Sequence, residues 1–292
     1  MRPTWLIEAD VFGEESEPLK AEVRRRGMSC HVVRHPSISG NRRETTVGGQ
    51  RLADDDCVVF YGSSPLMRHI QRHRSWRPGG WFNAANLACS TYSAHFGPHL
   101  LNRRYLLMPG VEAIRLRDWV FSVLARDGAV FVRPDGVGKL FAGRTATREG
   151  FADALAPARY DPETLVVIAE PRSIAREWRL VLGGDEVVAA SQYAVRGVRA
   201  FAPGCPAAVR AFAEGVLRDV RWRPDAMFMM DACESGGQYY LLELNSFSCS
   251  GLYRCDLAAV VEAASDLATR AWDARGGSRE EPSPPTWATG RG

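Results

Sequence analysis

The side chains best suited to chemistry lie in residues 239–246, where a carboxylate, Glu243, and an amide, Asn245, stand two positions apart. The apolar residues around them predict a strand, and side chains at i and i+2 of a strand point to the same face. A second apolar run, residues 227–232, carries Asp231, and the short Ser- and Gly-containing segment between the runs is typical of a hairpin turn. We therefore expect Asp231, Glu243 and Asn245 to converge on one sheet face.

Three such side chains provide the hard oxygen ligands that Mg²⁺ prefers. Mg²⁺ takes one or two carboxylates and fills its remaining positions with water and nucleotide phosphate oxygens. The alternative is an ordinary antiparallel sheet, whose solvated face also carries alternating polar residues. The flanking residues 246–253 continue with serines and a glycine before a helix-like run begins, and this flank favours the metal site.

A second group of chemically capable residues lies in residues 129–143, whose pattern predicts a strand, a Gly-bearing loop and another strand. Arg133 and Lys139 place a cation on each side of the loop. Glycines let backbone amides approach phosphate oxygens, and the two cations supply charge. The pattern predicts a phosphate-binding loop; a hairpin with two solvated cations is the alternative.

The elements that must position these side chains follow from hydrophobic periodicity. Short buried strands with a helix between them predict a small α/β unit at the N-terminus. From Gly128 the pattern becomes β-rich, whereas residues 75–100 have no clear period and are predicted to be irregular. The predicted strands are 4–10, 30–34, 57–61, 129–133, 139–142, 164–169, 177–183 and 185–193, and the predicted helices are 16–27, 117–126, 148–156, 206–219 and 256–275.

The composition is that of an ordinary globular protein, because the 292 residues are 46% hydrophobic and 24% charged. No apolar run approaches the roughly 20 residues needed to cross a bilayer. Acidic residues come too early in the chain for a signal peptide. Seven cysteines at irregular spacing argue against a disulfide scaffold. We therefore expect a cytoplasmic protein with reduced thiols and no membrane partner.

Basic residues cluster in residues 67–74, although a net charge of +3 is too small to imply a nucleic acid partner. His69 and His73 have the i, i+4 spacing of a helical metal pair, but no third ligand lies nearby in the sequence. A solvated or partner-facing helix surface is therefore the better interpretation. With Trp76 and Trp81 close by, a patch that attracts an anionic substrate is a second one. Nucleic acid binding, which a steep salt dependence would reveal, is the least favoured.

The order of these parts along the chain resembles the ATP-grasp superfamily. A strand with Arg-Pro, a Gly loop, an acidic hinge, an Arg-bearing strand and a terminal Asp followed by Glu-x-Asn occur in that order over roughly residues 118–265. The strings Glu-Trp-Arg at 177–179 and Ser-Gln-Tyr at 191–193, and the run 243–253, are most similar to a bacterial and phage subgroup of that superfamily.

The resemblance implies a role in nucleotide binding for several residues. Arg133 corresponds to the strand cation at the α-phosphate, and Lys139 to a second phosphate contact. The segment from Glu170 to Ile174 corresponds to the hinge that holds adenine, and Glu177 to the acid that binds the ribose hydroxyls. Arg133 departs from the family pattern, which usually has Lys there, so the geometry of phosphate binding is expected to differ.

The resemblance also implies the catalytic residues. Arg179 corresponds to a cation facing the γ-phosphate or an acyl phosphate, and with Lys139 it is the predicted catalytic pair. Asp231, Glu243 and Asn245 correspond to the Mg²⁺ ligands. The residue types suit this chemistry independently, because phosphoryl transfer needs positioning, a metal and neutralising cations rather than a covalent nucleophile.

The fold implied by the resemblance is an α/β (α+β) ATP-grasp fold. Residues 1–105 would form a small N-terminal α/β domain, and residues 106–275 the nucleotide-binding and catalytic domain. Residues 276–292 are dense in Gly, Pro, Ser and charge, which predicts a disordered tail. The substrate is expected between the two domains, where residues 62–105 carry no readable motif.

The implied activity is that of an ATP- and Mg²⁺-dependent, ADP-forming ligase. Such an enzyme activates a carboxylate as an acyl phosphate and joins it to the amine of an amino acid or peptide. A kinase-like phosphotransferase on the same ATP site is one alternative, and a nucleotide-binding module whose catalysis has decayed is another. The sequence leaves the substrates and the oligomeric state open.

Overall fold

Helices and strands alternate along the chain, which confirms the predicted α/β (α+β) class. Lys139 and the tail 276–292 lie outside the described residues. No helix within the described part of the chain is long and apolar enough to cross a membrane. The computed structural model describes residues 2–34, 44–47, 50–138, 140–161 and 163–274.

The N-terminal unit is built on a four-stranded parallel sheet. Its elements, with the helix that follows, are β1 (Thr4–Glu8), α1 (Ser16–Arg25), β2 (Cys30–Val33), the hairpin strands β3 (Glu44–Val47) and β4 (Gln50–Ala53), β5 (Cys57–Tyr61), α2 (Ser64–His73), β6 (Arg77–Gly79) and α3 (Cys89–Phe96). The strand order is β2-β1-β5-β6. Strand β5 is apolar and buried at every position, as expected for a parallel strand covered on both faces.

A four-stranded antiparallel sheet forms the second unit. In the numbering given next, its strand order is β7-β10-β8-β9. Its elements are β7 (Tyr105–Pro109), α4 (Gly110–Arg115), α5 (Arg117–Leu124), β8 (Ala129–Pro134), β9 (Arg144–Thr147), α6 (Phe151–Ala154) and β10 (Leu165–Ala169). Alternate residues of β8 are fully buried, Val130 and Val132 among them. Because successive strand side chains point to opposite faces, Phe131 and Arg133 face away from that core.

A five-stranded antiparallel sheet forms the third unit. Its elements are β11 (Arg176–Gly183), β12 (Glu186–Val195), β13 (Val198–Pro203), α7 (Ala207–Asp219), β14 (Met227–Ser235), β15 (Gln238–Ser246) and α8 (Leu257–Asp273), and the strand order is β13-β12-β11-β14-β15. The predicted hairpin is confirmed, with β14 and β15 joined by Gly236 and Gly237 at φ values of 59° and 75°. Glycine adopts this left-handed region without the penalty that a Cβ brings.

The two faces of the third sheet pack against different helices. Phe228 and Met230 point into a core with α3 and α7, whereas Met227 and Met229 point into a core with α8, α1 and the parallel sheet. By the same alternation, Asp231 belongs to the face of Met227 and Met229. Burial of these methionines therefore places the Asp231 carboxylate on the same face of the sheet.

The prediction of a strand at residues 139–142 is wrong for its described part. Residues 140–143 form a loop, and the strand begins at Arg144. The apolar residue that suggested a strand is Phe141, a loop residue whose side chain packs inward. It is only 6% exposed and belongs to the core of the second unit.

The prediction that residues 75–100 are irregular is also wrong, since this stretch contains β6 and α3. Cys89, Tyr92 and Phe96 are buried on one face of α3, but the serines and the threonine between them have low helix propensity and obscure the period. A distant residue holds the helix start. The Asp135 carboxylate accepts hydrogen bonds from the Ser90 amide at 2.6 Å and the Ser90 hydroxyl at 2.9 Å. Strands β7 and β13 were not predicted.

Candidate active site

A cleft of about 540 Å³ lies between the second and third sheets. Strand β8 and the loops on either side of Lys139 form one wall, and strands β11, β12 and β15 form the other. A cleft of this volume accommodates a nucleotide-sized ligand. The predicted site residues that line it are Arg133, Ile174, Glu177, Glu243 and Asn245.

Arg133 spans the cleft to reach Glu243. Its Nη2 donates to Glu243 Oε2 at 2.7 Å, although the two residues are 110 positions apart in the chain. Each side chain is 21% exposed. Because Val130 and Val132 hold the opposite face of β8 in the core, Arg133 must face the cleft. The predicted phosphate cation and a predicted metal ligand therefore neutralise each other here.

Arg179 and Asp231 form a second, buried ion pair on neighbouring strands. Arg179 Nε donates to Asp231 Oδ1 at 2.8 Å and Nη2 donates to Oδ2 at 2.7 Å, a two-pronged geometry. Arg179 is 3% exposed and Asp231 is 1% exposed. Burial raises the pKa of Asp231 and the Arg179 guanidinium opposes that shift. Since the guanidinium is always protonated, the two-pronged pairing favours the ionised carboxylate. The pair lies behind the lining of the cleft.

Asn245 links the two carboxylates. Its Nδ2 donates to Glu243 Oε1 at 2.9 Å and to Asp231 Oδ2 at 3.1 Å. Asp231 stands opposite Glu243 in the pairing of β14 with β15. The structure thus brings together three side chains of which the outer two, Asp231 and Asn245, are 14 positions apart in the chain.

The donor set of these three residues fits Mg²⁺. Two carboxylates and one amide are oxygen ligands, and Glu243 and Asn245 open onto the cleft. Asn245 donates through Nδ2 to both carboxylates, whereas its Oδ1 makes no hydrogen bond with a described residue. Asp231 is less available, because Arg179 holds both of its oxygens. In the described residues no group of three His, Cys, Asp or Glu side chains is placed to hold a metal, so the amide is essential to the set.

Glu177, on β11, and part of the hinge segment also line the cleft. Glu177 accepts a hydrogen bond from the Tyr193 hydroxyl at 2.7 Å. Burial raises the pKa of Glu177, and the bond from Tyr193 lowers it in part. Ile174 lines the cleft, whereas Glu170 does not. Glu170 Oε1 instead accepts a hydrogen bond from Arg126 at 3.0 Å.

Several residues of the site had no predicted role. Tyr193 lines the cleft, and its ring lies 5.8 Å from the Arg179 guanidinium, with Tyr253 on that guanidinium at 4.9 Å. Arg144 adds a cation to the cleft wall. The Ser-Gln-Tyr string was a signal for Tyr193, because Tyr193 ends it. No local signal identifies Arg144.

The basic cluster of residues 67–74 lies on α2, where Arg68 and Arg72 are exposed. Trp76 and Trp81 are 5% and 3% exposed, so both belong to the core rather than to a substrate surface. The His69 and His73 rings lie 4.5 Å apart on the same helix.

A family model of ATP-grasp domains, R2K clade family 2, matches residues 112–263, more than half of the chain. None of the curated protein sequences matches the chain. The match covers the Arg133 strand, the hinge, and the strands that carry Arg179, Asp231 and Glu243.

Solved structures of ATP-grasp ligases share the fold at low sequence identity. D-cycloserine synthetase DcsG has a TM-score of 0.64 at 13% identity, over 91% of this chain and 99% of that chain. D-alanyl-alanine synthetase A from Vibrio cholerae has a TM-score of 0.61 at 13% identity, over 93% and 99%. The ATP-grasp ligase PsnB complexed with a minimal precursor has a TM-score of 0.57 at 16% identity, over 91% and 100%.

These likenesses extend through almost the whole chain, including the N-terminal parallel sheet that the family model leaves out. They confirm the predicted fold, whereas identities this low say nothing about substrate. The family match over more than half of the chain shows that it belongs to the ATP-grasp superfamily, in R2K clade family 2.

Proposed function

We propose that this protein is an ATP- and Mg²⁺-dependent, ADP-forming ligase that joins a carboxylate to an amine. The observation that carries the proposal is the hydrogen-bonded cluster of Glu243, Asn245 and Asp231, of which the first two line a cleft. Arg133 lies on the wall of the same cleft and binds Glu243. This set combines oxygen ligands for a metal with a cation for phosphate. The coarser activity, an ATP-dependent ligase, agrees with the family match and with structural neighbours that include two synthetases and an ATP-grasp ligase.

Each residue would act through charge and position. Arg133 would leave Glu243 and neutralise a phosphate oxygen, and Glu243 and Asn245 would hold Mg²⁺, which when bound supplies charge neutralisation for phosphoryl transfer. Ile174 and Glu177 would bind the adenosine end. Arg179 is neutralised by Asp231 through two hydrogen bonds, so it would fix that carboxylate beneath the site.

The proposed reaction has two steps. A carboxylate oxygen attacks the γ-phosphorus of ATP, the bond to the β-phosphate oxygen breaks, and ADP leaves. The amine then attacks the acyl carbon, inorganic phosphate leaves, and the amine proton passes to water. This chemistry requires no covalent nucleophile, because positioning and charge supply the catalysis.

The test is incubation of the protein with ATP, Mg²⁺ and pooled amino acids or short peptides, with separation of the nucleotide products. We expect ADP and inorganic phosphate, released only when a carboxylate substrate is present. Formation of AMP and pyrophosphate would contradict the acyl phosphate route. Phosphorylation of a substrate without amine incorporation would favour the kinase-like alternative.

We further propose that the division near residue 105 separates a substrate-facing N-terminal domain from the ATP-grasp domain, and that the protein acts in the cytoplasm, where ATP is available. Limited proteolysis followed by mass spectrometry tests the domain boundary, because a linker between compact domains is cut first.

A further inference from the structure

The loop 247–256 joins β15 to α8 and starts immediately after the strand that carries two predicted metal ligands. The N-terminal unit holds this loop at alternate residues. The Gly62 amide donates to the Ser248 carbonyl at 2.8 Å, and the Tyr61 hydroxyl donates to the Ser250 carbonyl at 2.8 Å. Because Tyr61 is only 1% exposed, its hydroxyl has a fixed position in the core. The course of the loop therefore depends on the N-terminal unit as well as on its own sheet.

Glu15, immediately before α1, makes the next contact along the loop. Its Oε2 accepts a hydrogen bond from the Leu252 amide at 2.8 Å, although the two residues are 237 positions apart in the chain. The carboxylate also packs closely over Gly251, because a Cβ added there would lie only 3.2 Å from the same Oε2. Glycine permits this close approach. A half-buried side chain of the N-terminal unit thus holds residues 251 and 252.

The residues on either side of Leu252 contact Arg179. Arg179 Nη1 donates to the Gly251 carbonyl at 3.0 Å, and the guanidinium carbon lies 4.9 Å from the centre of the Tyr253 ring. Tyr253 has a φ of 55°, in the left-handed region that a residue with a side chain adopts when its surroundings hold it there. Because Arg179 is 3% exposed, these contacts help to fix the orientation of its guanidinium.

Arg179 connects the loop to the predicted metal ligands. Its Nε and Nη2 donate to the two oxygens of Asp231, and Asp231 Oδ2 accepts a further hydrogen bond from Asn245 Nδ2. A guanidinium is planar and rigid, so it must take one orientation to satisfy the Asp231 carboxylate and the Gly251 carbonyl together. Movement of Gly251 would therefore turn the guanidinium and shift the carboxylate that it holds.

We infer that Glu15 is a positioning residue for the proposed Mg²⁺ site. By holding residues 251 and 252 it fixes Arg179, and through Arg179 it fixes the Asp231 carboxylate and the Asn245 amide. The inference rests on the proposed function and adds a residue of the N-terminal unit to the machinery that orients the metal ligands. Groups that orient the ligands of a metal change its affinity about 10- to 100-fold when they are removed.

The test measures how much Mg²⁺ strengthens the binding of a non-hydrolysable ATP analogue. Calorimetry gives the Kd of the analogue in EDTA and in Mg²⁺, and the first value divided by the second isolates the contribution of the metal. Glu15→Ala removes the acceptor for the Leu252 amide, Glu15→Gln keeps an oxygen there, and Tyr61→Phe removes the contact to Ser250. Glu22→Ala is the matched control, because its carboxylate pairs with arginines at the end of α1.

We expect Glu15→Ala to lower this ratio about tenfold, as for other groups that orient metal ligands. Tyr61→Phe should lower it about threefold, since one neutral hydrogen bond to the loop is lost. The ratios for Glu15→Gln and Glu22→Ala should equal that of the unaltered protein, and the Kd in EDTA should be the same for every variant. A purely structural role would instead raise both Kd values equally and leave the ratio unchanged.

The ADP assay on the unaltered protein separates this inference from the proposed function. ADP release together with an unchanged ratio in Glu15→Ala and Tyr61→Phe would overturn the positioning role alone. A ratio for Glu15→Gln as low as that for Glu15→Ala would also overturn it, because the hydrogen bond to Leu252 would then not be the cause. Analogue binding by the unaltered protein that ignores Mg²⁺, with no ADP release, would overturn the proposed function and the positioning role with it.

Discussion

Replacing Asp231 by Asn is expected to destabilise the protein strongly, apart from any effect on activity. The substitution removes the charge that pairs with Arg179, which is 3% exposed, and so leaves a buried guanidinium without its counter-ion. Breaking one side of a buried, fully hydrogen-bonded ion pair costs about 3–5 kcal/mol. For a protein of this size each kcal/mol lowers the melting temperature by roughly 2 °C, so we expect a decrease of about 6–10 °C.

The control is Glu243→Gln, which breaks an ion pair whose members are each 21% exposed. Water replaces the lost partner there, so the cost is about 1 kcal/mol or less and the decrease about 2 °C. A third variant, Arg179→Met combined with Asp231→Leu, should regain most of the lost stability, because apolar residues of similar volume often replace a buried pair without penalty. Thermal melting by circular dichroism and urea unfolding measure all three. A melting temperature for Asp231→Asn within 2 °C of that for Glu243→Gln would refute the reasoning.

Further outcomes are expected at the same site and at one distant carboxyl. Glu243→Gln and Asn245→Ala should abolish turnover while the circular dichroism spectrum is unchanged; loss of fold instead would make these residues structural. Arg133→Lys should weaken ATP binding, measured by calorimetry, less than Arg133→Ala, because Lys keeps the charge but loses the planar fork; equal affinity of the Ala variant and the unaltered protein would remove Arg133 from the site. A non-hydrolysable ATP analogue should raise the melting temperature more with Mg²⁺ than without it, and no shift in either case would contradict nucleotide binding. Burial raises the pKa of Asp225 from 3.8 to about 6, so the folded state favours the protonated carboxyl and the free energy of unfolding falls as pH rises from about 4 to 6. In urea unfolding, Asp225→Asn should therefore be more stable than the unaltered protein by an amount of order 1 kcal/mol at pH 7, and equally stable at pH 3.5. An equal gain at both pH values would exclude the titration of Asp225.

Local patterns in the chain were sufficient to predict the strands and the hairpin of the candidate site. Glu243 and Asn245 are two positions apart on one strand, and two glycines set the turn that brings Asp231 opposite them. These relations depend on a two-residue side-chain period and on backbone conformation, both of which act over a few residues. The same reasoning predicted β5 over its observed range, because a short unbroken run of apolar β-branched and aromatic residues is typical of a buried strand.

Contacts between distant segments were beyond such patterns. The pairing of Arg133 with Glu243 joins residues 110 positions apart, and α3 depends on Asp135, 45 positions from Ser90. Phe141 was predicted to lie in a strand because an apolar residue indicates burial. It does not indicate the backbone conformation of the buried segment. The partner of Arg179 likewise lies 52 positions away in the chain, on the neighbouring strand of the same sheet. Charge pairing and burial act through space, so which residues they join depends on how the units pack and not on their order along the chain.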